Sequence, residues 1–322
     1  MIYHAFRLSG TPIPGTPLEQ GLENIWVDGF FVVSGYLIVS SWMRRPRATD
    51  FLRNRLLRLY PAFFVCLLVT AFVFAPLGAA LSGIEVGLGQ QARYVLVNLG
   101  LYMREYDIGG TPSGVPWPEA WNGSLWTLFW EFLCYLGVLT LGVVGLLRRR
   151  WAIPLVFLGA WSLQLLVEVT PIGDARVPLG LYRIGSLGID DMARFAVTFS
   201  AGALVYHGRN HLPCAWRWVV AAAVGVLLSL WLPEYRLVGA LLLAYALIAA
   251  GALMRRPWMT LRTDVSYGVY IYAFPVQQLL AIVGVHGFGV PAYAVASLML
   301  TVVLAYVSWR LVERPALGYK AR

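Results

Sequence analysis

The sequence predicts an all-α, polytopic membrane protein of about ten transmembrane helices, the first apparently truncated, with both termini cytoplasmic. Three observations predict it. Hydrophobic residues make up 59% of the 322-residue chain and charged residues only 13%, whereas soluble domains carry about 45–50% and about 25%. The apolar residues gather into runs near the ~20 residues that cross a hydrocarbon core. The basic residues fall unequally on the two sides of those runs.

Nine spans can be placed, at roughly 25–43, 59–80, 122–147, 151–169, 191–207, 215–232, 237–254, 265–285 and 291–312. The fragment before Ser9 is the final third of a tenth. Runs this long and this uniformly apolar are helices rather than barrel strands. No cleavable signal peptide is expected, because His4 and the Pro/Gly loop from Ser9 to Gly15 interrupt any full apolar core. The chain reads as a single integral-membrane domain, 1–322, without repeats.

Lys and Arg concentrate in cytoplasmic loops. Eighteen of the 25 basic residues share one side, clustered at Arg44–Arg58, Arg148–Arg150, Arg209 with Arg217, Arg255–Arg262 and Arg310–Arg322. The other side holds Arg7, Arg93, Arg104, Arg176, Arg183, Arg194 and Arg236 together with most of the acids. An even number of crossings follows. The net charge of +9 is then a basic inner face and requires no nucleic-acid partner. Cys66, Cys134 and Cys214 lie in or beside apolar runs, odd in number and without metal-ligand spacing, so they read as buried, inert thiols and no metal is expected. The stretch from Ser82 to Ala120 faces outside and reads equally as a lid, a re-entrant segment or a solvated loop.

Ionisable side chains at membrane depth are functional candidates by default. They are His4, Asp28 in WVDGFFVVSGYLI and Glu131 in SLWTLFWEFLCY. At about 1.5 Å of rise per residue all three fall in the outer half of the bilayer. Taken singly, His4 reads more readily as a satisfied polar residue at a helix end, and Asp28 equally well as an interfacial or packing acid. Glu131, among Phe129, Trp130, Phe132 and Leu133, needs a hydrogen-bond partner or a proton. On the cytoplasmic side, Arg55 and Arg58 in FLRNRLLRLYPAF are three apart and share a helix face, able to present two guanidinium forks to phosphates. The positive-inside rule alone also fills such positions.

Together these stretches resemble the integral-membrane acyltransferase family 3, whose members O-acylate surface sugars and other acceptors. The resemblance is carried by the histidine late in helix 1, WVDGFFVVSGYLI, FLRNRLLRLYPAF, SLWTLFWEFLCYL, DVSYGVYIYAFPV and LVERP, in order along the chain. It implies about ten helices with both termini cytoplasmic, a catalytic histidine at His4, a pair of arginines for acyl-CoA at Arg55 and Arg58, and a functional acid at Glu131. Asp28 falls in the helix 2 motif with Ser34 and Gly35, which helix packing explains equally well. The family has a full helix before its histidine, with an arginine about ten positions upstream. Here only Met1, Ile2 and Tyr3 precede it, which reads as a start assigned too late.

The resemblance implies acyl transfer, acetyl by default, from cytoplasmic acyl-CoA to a hydroxyl of a surface or exported carbohydrate, in a bilayer that is most simply the bacterial inner membrane. His4 would be the general base. Asp28 or Glu131 would fix its tautomer and stabilise the imidazolium, with an acyl-histidine relay as a second route. The competing class is a transporter or flippase of glycan or lipid precursors, in which buried His, Asp and Glu form proton relays. The arginine pair discriminates, since a transporter has no need of it.

Overall fold

The computed structural model describes residues 1–13, 15, 17–174, 176–178, 186–254 and 263–320. Arg183, Arg255, Arg256, Arg262 and Arg322, counted in the charge asymmetry, lie outside the described residues. In chain order the helices are α1 Ile2–Leu8, α2 Leu18–Glu23, α3 Ile25–Arg44, α4 Ala48–Val69, α5 Ala75–Ser82, α6 Leu88–Asn98, α7 Thr127–Val143, α8 Ala152–Val169, α9 Ile189–Gly208, α10 Trp216–Ser229, α11 Arg236–Leu253, α12 Ser266–Ile282, α13 Val290–Ser308 and α14 Arg314–Gly318. Among the described residues, the all-α expectation is modified by one short antiparallel ribbon, β1 Arg176–Pro178 with β2 Ser186–Gly188.

Each of the nine apolar runs coincides with a helix, and single-turn π segments at Thr70–Phe74 and Trp309–Glu313 join α4 to α5 and α13 to α14. Among the described residues, five helical segments are long and apolar enough to cross a membrane: Ile25–Arg44, Ala48–Ser82, Ala152–Val169, Arg236–Leu253 and Val290–Gly318. The protein is thus a multi-pass helical membrane protein, with five such segments where the sequence reading counts about ten crossings. Two others, α7 and α10, are apolar but shorter. In α7 the helix begins five residues later than the apolar run, because the backbone at 122–126 is held in turns by its own side chains: Asn122 Oδ1 accepts from the Ser124 amide at 3.1 Å, and Thr127 Oγ1 donates to the Ser124 carbonyl at 3.4 Å.

Two compact units make up the chain: Met1–Ile13 with Leu52–Phe129 and Leu261–Arg322, and Pro14–Phe51 with Trp130–Thr260. In the first, α1, α5 and α13 pack on α12, around Ala5, Leu8, Phe274, Ala281 and Tyr293. Pro275 lies inside α12. Lacking an amide hydrogen, it leaves the Ile271 carbonyl without its intrahelical donor. Buried Asn122 donates to that carbonyl from Nδ2 at 2.7 Å, and the Cys66 thiol approaches it at 3.3 Å.

In the second unit α3 and α8 pack on α9, and α11 joins α3, α9 and α10. The α3–α9 crossing is set by Gly35 and Gly202. A Cβ on Gly35 would lie 1.9 Å from the Phe199 carbonyl oxygen, and one on Gly202 would lie 1.8 Å from that of Val32. The two backbones therefore touch, as small residues permit between membrane helices, and Phe31 stacks on Phe195 at 4.2 Å beside the crossing. Gly35→Ala is expected to force the helices apart and destabilise the protein by about 1–3 kcal/mol or more. Thermal unfolding in detergent checks this, and an unchanged midpoint would mean that the crossing is looser than described.

Candidate active site

His4 is carried by α1, against α12. Its ring meets Phe274 edge to face at 5.0 Å and Tyr3 at 5.5 Å, and it is partly buried. The first turn of α1 is fixed by buried Gln277, whose Nε2 donates to the Met1 carbonyl at 3.2 Å. The helix ends at a turn in which Gly10 adopts φ +71 with Pro116 close beside it, and the Arg7 guanidinium lies over Trp117 at 5.2 Å. A short helix that could not hold its shape alone is thus tied down at both ends.

Three separated stretches of sequence meet at Arg58 on α4. Its guanidinium donates to Asp264 at 2.7 Å, lies 3.8 Å from the Glu313 carboxylate and sits over the Tyr267 ring at 5.7 Å. The Tyr267 hydroxyl in turn donates to the Leu59 carbonyl at 2.8 Å, clamping α12 to α4. Ser266 donates to Asp264 from Oγ at 2.6 Å and from its amide at 3.2 Å. Burial pushes the Asp264 carboxyl up, but the Ser266 hydrogen bonds and the Arg58 charge outweigh it and hold the group below the usual carboxylate range. Arg55 lies one turn before Arg58 on the same helix. Burial, then the charges of Arg55 and Arg58, push the Lys320 ammonium below its usual range. The sequence reading named the two arginines and missed Asp264, Tyr267, Glu313 and Lys320. The first three stand in stretches already singled out, DVSYGVYIYAFPV and LVERP.

One helix links the histidine and the arginine: Phe274 and Tyr267 are seven residues apart on α12, about 10 Å of axial rise. His4, Arg55 and Arg58 all belong to the first unit, whereas Asp28 and Glu131 belong to the second.

In the second unit Asp28 is fully buried between two guanidinium groups. Arg194 Nε donates to Oδ1 at 2.9 Å, Arg236 Nε donates to Oδ2 at 2.6 Å, and the Tyr235 hydroxyl donates to Oδ2. Arg236 also pairs with Glu234 at 3.0 Å, and Gln164 donates to Glu234 at 3.1 Å. Arg194 and Arg236, counted on the acid-rich side, are internal counter-ions, with side chains 17% and 8% exposed. Glu131 is buried on α7 and accepts a hydrogen bond from the Tyr135 hydroxyl one turn later. Cys66 is buried as expected, but Cys134 is half-buried and Cys214 is exposed, the latter because its loop between α9 and α10 lies outside the apolar core.

Fold and polar residues together define a polytopic helical membrane protein that carries a histidine and a guanidinium cluster along one helix. The chain belongs to the acyltransferase family 3: the model described as "Acyltransferase domain" matches residues 1–310. It is therefore an acyl-transferring enzyme, and family membership decides against the transporter alternative. It is 29% identical over 323 residues to an O-acetyl transferase of Shigella phage Sf6, covering 98% of this chain and 91% of that one. To Nodulation protein 10 of Rhizobium leguminosarum bv. viciae it is 28% identical over 326 residues, covering 96% and 86%. No solved structure gives a significant match.

Proposed function

We propose that the protein transfers an acyl group, acetyl by default, from cytoplasmic acyl-CoA to a hydroxyl of a surface or exported carbohydrate, in the bacterial inner membrane with both termini cytoplasmic. The family match over nearly the whole chain carries this reading, and the O-acetyl transferase name of the phage relative supports the hydroxyl acceptor.

Arg55 and Arg58 bind the phosphates of the donor. Arg58 arrives already oriented by Asp264 and Tyr267, so little side-chain entropy is lost when a phosphate takes up its free donors. The pantetheine arm extends along α12 toward His4. The imidazole takes the proton of the acceptor hydroxyl as its oxygen attacks the thioester carbonyl, the C–S bond breaks, and the imidazolium returns the proton to the leaving thiolate. Neutral thiol and ester are the products, and His4 is regenerated. Glu131 is the functional acid that the family resemblance assigns, held by Tyr135. Asp28 supports the reaction as a positioning residue that fixes α3 to α9 and α11.

CoA binding tests the donor half of this scheme. At about 100 times its Kd, CoA is expected to stabilise the detergent-solubilised wild type by about 2.7 kcal/mol. Arg58→Ala should weaken that affinity by about tenfold or more, as the loss of charge-assisted hydrogen bonds implies, and Arg58→Lys should recover part of it. Absence of any stabilisation at any CoA concentration would contradict the scheme.

A further inference from the structure

The stretch from Ser82 to Ala120, which the reaction scheme leaves unused, is a built structure. Connections longer than ~12–15 residues with little regular structure are uncommon in compact proteins and are usually functional when ordered. The part that follows α6, residues 99–126, is such a connection and is ordered by side-chain bonds to its own backbone. Fully buried Asn98, at the end of α6, donates to the Glu105 carbonyl at 2.8 Å and accepts from the amides of Arg104 and Glu105 at 2.8 and 3.3 Å. Asp107 accepts from the Gly110 amide at 3.0 Å. Thr111 donates to the Ile108 carbonyl at 2.6 Å and accepts from the Trp121 indole at 2.9 Å. Gln278 on α12 donates to the carbonyls of Trp117 and Ala120 at 2.8 and 2.7 Å, anchoring the whole stretch.

These bonds hold open a cleft of about 380 Å³ whose walls include Gln90, Arg93, Glu105, Asp107, Gly109 and Gly110. That volume is at the small end of the ~300–1,000 Å³ of ligand sites. Its chemistry is the reverse of an apolar pocket. Two carboxylates, a guanidinium and an amide line it, and part of their capacity is spent within the wall: Arg93 donates to Glu105 Oε1 at 2.5 Å, Gln90 Oε1 accepts from the Gly87 amide at 3.0 Å, and Asp107 Oδ2 accepts from the Gly110 amide. The second carboxylate oxygens of Glu105 and Asp107 accept hydrogen bonds, and the Gln90 amide nitrogen and the far guanidinium nitrogen of Arg93 donate them. Gly109 and Gly110, at φ +62 and +77, present bare backbone, and a Cβ on Gly109 would lie 2.8 Å from Gln90 Oε1. Such a set matches a ligand that is hydroxylated on every side, because each hydroxyl both donates and accepts.

We infer that this cleft is an acceptor subsite that holds a pyranose ring of the carbohydrate to be acylated. The inference rests on the acyl-transfer reading above, and on the acid-rich face as the outer one.

Two changes test it without disturbing the fold. The Arg93 side chain is 72% exposed, so Arg93→Ala combined with Glu105→Gln removes the Arg93–Glu105 ion pair from the wall and leaves the Asn98 and Gln278 bonds to the backbone in place. Gly110→Asn fills the cleft: no atom lies within 4 Å of the added Cβ, and asparagine is among the residues that tolerate positive φ. Transfer of labelled acetyl from acetyl-CoA is measured against the concentration of oligosaccharides released by mild acid from the surface of a deletion strain. Both variants should need about tenfold more oligosaccharide for half-maximal rate, while the maximal rate and stabilisation by CoA stay within about twofold of wild type. An unchanged oligosaccharide dependence in both variants, with an active wild type, would overturn the subsite and leave acyl transfer standing. A wild type that is neither stabilised by CoA nor able to transfer label would overturn the acyl-transfer reading, and the subsite with it.

Discussion

A His4→Ala protein is expected to accumulate to wild-type levels and to transfer acyl groups about 10²–10⁴-fold more slowly, the range that a positioned general base contributes. Retained folding is expected because the imidazole is only partly buried at one end of a short helix, while Gln277 holds the first turn through the Met1 backbone and not through the histidine. CoA binding should also survive, since Arg58 and its partners cluster about two helical turns away along α12. The loss should therefore appear in kcat at saturating donor. His4→Gln should not rescue it, because an amide offers hydrogen bonds but takes no proton at neutral pH. A His4→Ala protein of wild-type rate would remove the base from the scheme.

Asp28→Ala is expected to act on stability, by about 3–5 kcal/mol, as when one partner of a buried ion pair is deleted. The Arg194 guanidinium would then lose its carboxylate, Arg236 would keep only that of Glu234, and the Tyr235 hydroxyl would lose its acceptor. The matching rescue replaces the cluster as a whole: Asp28→Leu with Arg194→Met and Arg236→Met should recover much of the lost stability, because a well-packed apolar set often equals a buried ionic one. Unfolding in detergent and membrane abundance read both effects. An Asp28→Ala protein of normal stability and no activity would return Asp28 to the chemistry and contradict its role as a clasp between helices.

How much of this was legible beforehand differs between backbone and partners. Apolar runs are a local signal, so every predicted span coincides with a helix, whereas α6 gives no such signal because Gln90, Gln91 and Arg93 break up its apolar face. Buried ionisable residues were legible too, since Asp28 and Glu131 interrupt hydrophobic segments. Their partners were not. Arg194 and Arg236 lie 166 and 208 residues from Asp28, at the starts of their own helices, where the charge count places them on the acid-rich side. Likewise Pro275 announces a freed carbonyl in α12, but nothing local shows that Asn122, 149 residues away, caps it. At Arg58 the convergence was half legible, because the motifs that meet there stood out while their meeting did not.

The most direct test of the central claim uses inside-out membrane vesicles, in which the cytoplasmic face is presented to the medium. Isotope-labelled acetyl-CoA is added outside, and the glycans of vesicles from a deletion strain carrying the wild-type protein or His4→Ala are weighed by mass spectrometry. The account predicts one labelled acetyl ester per modified residue, formed with an equal amount of free CoA, in the wild type and not in an equally abundant His4→Ala protein. Labelled glycan at equal rates in both strains, or none in the wild type while CoA is bound, would contradict it.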